Sequence, residues 1–113
     1  MGTRRVVRPI GHEAVFSGMG ERFAHQPWGI FGGQPGGTGR FSIQGPSHND
    51  ETLPDKPNHV PFGPDDTVVI ETPGAGGYGD PAERDAEAVA ADYRDEKFSA
   101  EYLRKYYGFE PPE

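Results

Sequence analysis

The sequence predicts an α+β fold made of short β-strands, long loops rich in glycine and proline, and two helices near the carboxyl terminus. The run Thr67 to Ile70 consists of β-branched residues, which are typical of a strand. Residues 81–108 carry helical patterns with capping residues at their ends. The chain has 113 residues, of which 17 are Gly and 12 are Pro. The combined share of Gly and Pro is about twice the usual one and indicates long irregular connections.

Four short strands are predicted before residue 72. Arg40 to Gln44 is the clearest, because its alternation places Phe41 and Ile43 on one face. We expect Met19 and Phe23 to lie in the same packed layer as the second strand. Isolated short strands are marginally stable, so we expect these strands to complete a sheet that belongs to a partner. The predicted strands lie near residues 3–8, 13–17, 40–44 and 67–71.

Two helices are predicted near residues 85–94 and 99–107. Asp85 is a good amino-terminal cap for the first helix, although Asp80-Pro81 provides a possible start one turn earlier. Ser99 caps the second helix, and Phe98 and Leu103 occupy the two positions of a hydrophobic staple. Gly108 is expected to end that helix.

Residues 45–65 form a polar, proline-rich segment that we interpret as one long, extended connection. A connection of this length is usually functional or wrapped around another surface. We therefore expect it to lie against a partner chain. The length of the chain predicts a single small domain over residues 1–113.

Composition and charge exclude several classes of function. The formal net charge is −7, and the five Arg of residues 1–44 are too sparse for a nucleic-acid footprint. The absence of cysteine excludes disulfides and thiolate zinc sites. No apolar run approaches the roughly 20 residues of a membrane span, and no signal peptide is visible. We expect a cytoplasmic protein that contacts neither nucleic acid nor membrane.

The first glycine-rich segment, residues 23–39, carries three large apolar side chains, those of Trp28, Ile30 and Phe31. They either bury against a small core of this chain or dock on a partner, and the sequence gives even weight to both. We predict that all three lie at an interface. The stretch Gly32 to Thr38 has the outline of a phosphate loop, but it lacks the lysine that would reach the phosphates.

The second glycine-rich segment follows the strand at Thr67. We predict that its loop packs tightly at a subunit junction and binds no nucleotide. No Lys or Arg lies between Lys56 and Arg84, and Glu71 and Asp80 flank the loop with negative charge. The residues assigned to this junction are Gly74, Gly76, Gly77 and Tyr78.

No catalytic constellation is recognisable. There is no serine elbow, no cysteine nucleophile and no obvious acid–base dyad, and Asp65-Asp66 is more typical of a turn cap. The four histidines share no ligand spacing, so no metal site is predicted. His25, beside Trp28, is the weak candidate among them.

The two glycine-rich segments resemble the carboxy-terminal end of the hydantoinase B / 5-oxoprolinase family. The resemblance is carried by HQPWGIFGGQPGGTG at 25–39 and by VIETPGAGGYGDPAERDAEAVAADYRDEKFSAEYLRKYYG at 69–108. The family typically has glycine at Ala75, proline at Ala86 and an apolar residue before Ser99 where this chain has Lys97-Phe98. These departures affect loop flexibility and helix starts.

The resemblance implies a small subunit of a split, multi-subunit complex such as the ATP-dependent ketone carboxylases, among them acetophenone carboxylase. The implied partners are a hydantoinase B-type large subunit and hydantoinase A-type ATP-binding subunits. The complex is expected to use ATP, Mg and bicarbonate, whereas this chain is expected to bind no cofactor and to catalyse nothing by itself. Two alternatives are a subunit of an ATP-dependent hydantoinase or oxoprolinase, and a free-standing binding or regulatory module.

Overall fold

A computed structural model describes residues 1–112, which fall into two compact units. The first unit contains residues 1–28 and 35–76, and the second contains residues 29–34 and those from 77 onward. The combination of small antiparallel sheets and two helices confirms the α+β class. The assignment of residues 1–113 to one domain stays a prediction.

The first unit contains six short strands in two antiparallel sheets. The four-stranded sheet has the order β1-β6-β3-β4, and the two-stranded sheet pairs β2 with β5. All four strands predicted from the sequence are present, within two residues of their predicted ends. The strands are β1 (Arg4–Val7), β2 (Ala14–Phe16), β3 (Arg40–Gln44), β4 (Glu51–Leu53), β5 (Val60–Phe62) and β6 (Thr67–Glu71).

The β-branched run at Thr67 forms β6, one of the two central strands of the larger sheet. It pairs with β1 on one side and with β3 on the other, so Val68 and Val69 are both buried. Glu71 ends the strand, and its carboxylate faces an arginine on each neighbouring strand. Arg40 Nε lies 2.9 Å and Arg4 Nε 3.7 Å from the Glu71 carboxylate.

The core of the first unit lies on one face of the larger sheet. Phe41 is at its centre, with the ring of Phe16 at 5.3 Å and that of Phe23 at 4.7 Å, both edge to face. Such geometry is the favoured one for aromatic pairs. The buried members of this core are Phe41, Ile43, Leu53, Phe62 and Val68.

Two expectations need correction. The segment 45–65 is not one extended connection, because β4 and β5 lie within it and pair with β3 and β2. Met19 is 80% exposed and does not join the packed layer that Phe23 enters. The strands pair with one another inside this chain. That they also complete a sheet of a partner stays a prediction.

The second unit contains a 3-10 turn at Pro81–Glu83, helix α1 (Ala86–Arg94) and helix α2 (Ala100–Tyr107). The capping predictions are confirmed. The Asp85 side chain accepts from the Glu87 N–H at 3.0 Å, and Ser99 Oγ accepts from the Tyr102 N–H at 3.2 Å. Gly108 ends α2 with a φ of 61°. Within residues 1–112, neither helix has the length and hydrophobicity that crossing a membrane requires.

Each helix contributes one buried aliphatic side chain, Val89 from α1 and Leu103 from α2. Asp92 of α1 is also buried, and its carboxylate accepts hydrogen bonds from Arg84 and, at 3.1 Å, from Lys97. These two bonds compensate the charge that burial would otherwise make costly. Hydrogen bonds to Asp95 and Asp92 raise the pKa of Lys97.

Candidate interface

The predicted interface residues of the second unit lie where two loops pair side by side. The Ile30 N–H donates to the Gly77 carbonyl at 2.9 Å, and the Gly79 N–H donates back to the Ile30 carbonyl at 2.9 Å. A third bond joins the Gly77 N–H to the Gln34 carbonyl at 2.8 Å. Residues 29–34 and 77–79 therefore form a short ladder, which fixes both loops although neither has a regular repeat.

Glycine is required in this ladder because the two backbones are in close contact. A Cβ built on Gly33 would overlap the Gly77 carbonyl group and the Tyr78 nitrogen. A Cβ on Gly77 would lie 3.0 Å from the Gln34 nitrogen. Sequence reasoning assigned close packing to Gly77 but missed Gly33, since the glycine pattern alone does not tell which residues face each other.

Two aromatic side chains lie on the solvent side of this ladder. Phe31 is 76% exposed and Tyr78 is 79% exposed, and Ile30 beside them is nearly half exposed. The Phe31 backbone has a φ of 52°, a left-handed conformation that a bulky residue rarely adopts. The structure thus holds a large apolar ring in water on a strained, hydrogen-bonded backbone. Strain of this kind is concentrated at functional sites.

Trp28 belongs to the first unit and is 67% exposed. The Arg22 guanidinium lies 4.6 Å from the centroid of its ring, in a cation–π arrangement. Arg22 itself has a φ of 59°, and its carbonyl accepts from the Gly39 N–H at 3.1 Å. Sequence reasoning selected Trp28 but missed Arg22, which is six positions earlier and reaches the ring through a turn.

Gly74 and Gly76 also belong to the first unit, and both are half-buried. The Gly74 N–H donates to the Gly37 carbonyl at 3.0 Å, and a Cβ on Gly74 would lie 3.3 Å from the Gly37 nitrogen. Gly36 is buried, and a Cβ built on it would overlap the Ala75 carbonyl. The two glycine-rich segments of the sequence therefore pair with each other within this unit as well.

The glycine loop does not fit a nucleotide phosphate. The N–H groups of Gly74, Gly77 and Gly79 already donate to carbonyl oxygens, and a phosphate loop needs such amides free. Asp80 follows the loop, and its side chain accepts from the Ala82 N–H at 2.9 Å. Glu71 is paired with arginines, so its repulsion of a phosphate is weaker than the sequence suggested. The occupied amides, more than charge repulsion, make the loop unsuitable for a phosphate.

A separate concave site of the first unit lies between β2, β5 and two turns, with a volume of about 550 Å³. Asp66, which lines this site, is buried and accepts from the Gly63 N–H at 3.0 Å and the Ser47 N–H at 3.3 Å. These bonds, led by that from Gly63, lower the pKa of Asp66. His48 Nε2 contacts the Pro61 carbonyl at 2.8 Å. Asp66 is thus the turn cap that the sequence indicated, and both polar groups are already occupied structurally.

The structure adds no chemistry at His25. Across residues 1–112, no three His, Asp or Glu side chains are grouped so that they could hold a metal ion. His25 is exposed, in the turn before Trp28. An aromatic cluster lies at the start of α2, where Phe98, just before the helix, stacks on Tyr102 with centroids 4.9 Å apart. Burial raises the pKa of Tyr102, with Tyr107 and Tyr106 adding to the effect.

Comparison with known proteins relates this chain to hydantoinase B-type proteins. Residues 1–81 match the family model described as Hydantoinase B/oxoprolinase. An uncharacterized protein of Methanocaldococcus jannaschii is 32% identical over 112 residues, which are 95% of this chain and 18% of that relative. The putative B subunit of a D-/L-hydantoinase from Pseudomonas sp. (strain NS671) is 38% identical over 99 residues, 85% of this chain and 16% of that relative.

The chain spans less than a fifth of the length of these curated relatives. No solved structure matches it. The family match extends from β1 to the 3-10 turn and so includes both glycine-rich segments.

Proposed function

Because the chain belongs to the hydantoinase B/oxoprolinase family, we propose that it is a small, non-ATP-binding subunit that docks on a hydantoinase B-type large subunit and completes it. The observation that carries this proposal is the exposed pair Phe31 and Tyr78, held on a hydrogen-bonded loop ladder. A loop that exposes aromatic rings while fixing its backbone is arranged for contact with another surface.

Docking explains features that a free surface does not. Aromatic anchors supply much of the binding energy at interfaces, and a fixed backbone reduces the entropy lost on binding. Phe31 adopts a strained φ, which lowers the stability of the isolated chain. Burial of the ring against a partner offsets that cost. Trp28, on the first unit, offers a second anchor of the same chemical type.

We assign ATP and Mg to hydantoinase A-type subunits of the complex, and no nucleotide to this chain. The amides of Gly74, Gly77 and Gly79 are occupied, and no Lys or Arg lies between Lys56 and Arg84. The contribution of this chain to catalysis is then structural: it holds the large subunit in its active arrangement. None of the residues described above is assigned a catalytic role.

Two reactions are candidates for the complex. In the first, a ketone such as acetophenone is carboxylated with ATP and bicarbonate, as the family resemblance of the glycine segments implies. In the second, a cyclic amide such as a hydantoin or 5-oxoproline is hydrolysed with ATP. The relative from Pseudomonas is named as part of a hydantoinase, and this favours the second candidate.

Co-purification tests the proposal. The chain is expressed with a hydantoinase B-type large subunit from the same genome and recovered through a tag on either protein. We expect a stoichiometric complex, and assays with ATP and each substrate then separate the two reactions. A chain that is monomeric, cooperatively folded and never retained by the large subunit would instead be a free-standing binding or regulatory module, and the proposal would be lost.

A further inference from the structure

The outer edge of β1 is a second surface on which a polypeptide can pair, and its residues are different from those of the loop ladder at 29–34 and 77–79. β1 ends the larger sheet, with β6 as its only strand partner among residues 1–112. All four of its residues are exposed, including Val6 at 58% and Val7 at 41%. An edge strand with exposed apolar side chains and no proline is a template for a further strand.

The pattern of hydrogen bonds between β1 and β6 shows which backbone groups of β1 face away from the sheet. The Thr72 N–H donates to the Thr3 carbonyl at 2.9 Å, and Arg4 lies opposite Glu71. Bonded and non-bonded pairs alternate along an antiparallel ladder, so Arg5 and Val7 bond to β6. The N–H and C=O groups of Arg4 and Val6 consequently point away from the sheet.

Charge decides what kind of strand fits there. Arg4, Arg5 and Arg8 give this edge a positive charge in a chain whose net charge is −7. Within residues 1–112, Arg4 contacts Glu71 at 3.7 Å, whereas Arg5 and Arg8 form no ion pair. Pairing of β1 with β1 of a second copy would bring the arginines of both copies together, and like charges across a ladder are destabilising.

We propose that the outer edge of β1 binds an extended, acidic polypeptide strand, which the outward groups of Arg4 and Val6 pair by backbone hydrogen bonds. Carboxylates of the added strand lie on the same face of the sheet as Arg5, and its apolar residues lie on the opposite face, where they cover Val6. The inference rests on the edge of β1 and does not depend on the proposed function.

Amide hydrogen exchange of the full-length chain tests it residue by residue. The probe is a synthetic peptide of alternating Val and Glu, and the matched control is the same peptide with Lys in place of Glu. We expect the Glu peptide to slow exchange of the Arg4 and Val6 amides by about tenfold or more. The amides of Arg5 and Val7 are already bonded to β6 and serve as the internal reference.

Three variants sharpen the test. Val6→Pro removes an outward donor without touching the β6 ladder, so it should weaken binding of the Glu peptide about tenfold. Val6→Thr keeps the donor and should bind normally. The double variant Arg5→Glu/Arg8→Glu should prefer the Lys peptide, and it provides the test if Val6→Pro fails to fold.

Three results would overturn the proposal. In the first, the Glu peptide leaves exchange of the Arg4 and Val6 amides unchanged. In the second, both peptides protect those amides equally, which removes the preference for acidic partners. In the third, the amides become protected without peptide as the chain concentration rises, which assigns the edge to a second copy of this chain.

Discussion

The rings of Phe31 and Tyr78 meet edge to face with their centroids 5.3 Å apart, across two loops joined by backbone hydrogen bonds. The contact leaves most of each side chain in water. Each ring is held in place by the other and by the loop ladder beneath it, so the apolar surface is formed before any partner arrives. This pre-organisation leads to the first prediction.

Phe31→Gly should stabilise the isolated chain and weaken its assembly at the same time. Glycine adopts the φ of 52° without a Cβ penalty, which we expect to raise the free energy of unfolding by about 1 kcal/mol. Loss of the ring should reduce binding to the large subunit by about 2 kcal/mol. Urea unfolding and titration calorimetry measure the two effects.

Phe31→Ala is the matched control for this variant, because it removes the ring but keeps a Cβ in the left-handed conformation. It should weaken assembly as Phe31→Gly does, without the gain in stability. If Phe31→Gly assembles as tightly as the wild-type chain, Phe31 lies outside the interface.

Trp28→Ala should cost about 2 kcal/mol or more of assembly energy if the ring lies at the centre of the interface. Arg22→Gln is the informative companion, since it removes the cation–π contact at 4.6 Å and leaves the ring in place. The effect of Arg22→Gln on the assembly energy should be smaller, about 0.5–1 kcal/mol. Size-exclusion chromatography of each variant with the large subunit measures assembly, and an unchanged elution profile for Trp28→Ala removes that residue from the interface.

The parts of the fold that were readable from sequence depend on local chemistry. Asp85, Ser99 and Gly108 act on backbone groups within a few residues, so their patterns predicted where the helices begin and end. β4 and β5 were not predictable in this way. Each has three residues. β4 is defined by its pairing with β3 across residues 45–50, and β5, which contains Pro61, is defined by its pairing with β2, more than forty positions earlier.

The same distinction applies to the candidate interface. The composition of residues 23–39 drew attention to Trp28 and Phe31, but it left open whether they were buried or exposed. That outcome depends on the pairing of residues 29–34 with 77–79, a contact between segments more than forty positions apart. Gly33 was overlooked for the same reason, because its role appears only when Gly77 is opposite it.

Asp66 should make the first unit less stable in acid. Hydrogen bonds from Gly63 and Ser47 lower its pKa below 3.8, the value expected in the unfolded chain. A depressed folded-state pKa gives stability that is fully present above the unfolded value and is lost as pH falls through the folded one. The wild-type chain should therefore lose stability below about pH 4 more steeply than Asp66→Asn. Thermal unfolding between pH 2 and pH 7 measures the difference.

The control for this prediction is Asp65→Asn, which alters the exposed neighbour of Asp66. It should retain the wild-type slope in acid. At pH 7 the Asp66→Asn chain should already be the less stable one, because an amide cannot accept both backbone hydrogen bonds as a carboxylate does. Parallel stability curves for the wild-type chain and Asp66→Asn would contradict the prediction.

The close backbone approach between Gly33 and Gly77 should tolerate an added side chain poorly. Gly33→Ala places a methyl group against the Gly77 carbonyl, and Gly77→Val places a larger one against the Gln34 backbone. Each should force the two loops apart, at a cost of about 1–3 kcal/mol. Gly37→Ala is the matched control, since nothing lies within 4 Å of its added Cβ.

Both loop variants should weaken assembly with the large subunit, because the ladder positions Phe31 and Tyr78. ATP binding by the other subunits should be unchanged, and crosslinking of labelled ATP to this chain would show that the loop has a different role.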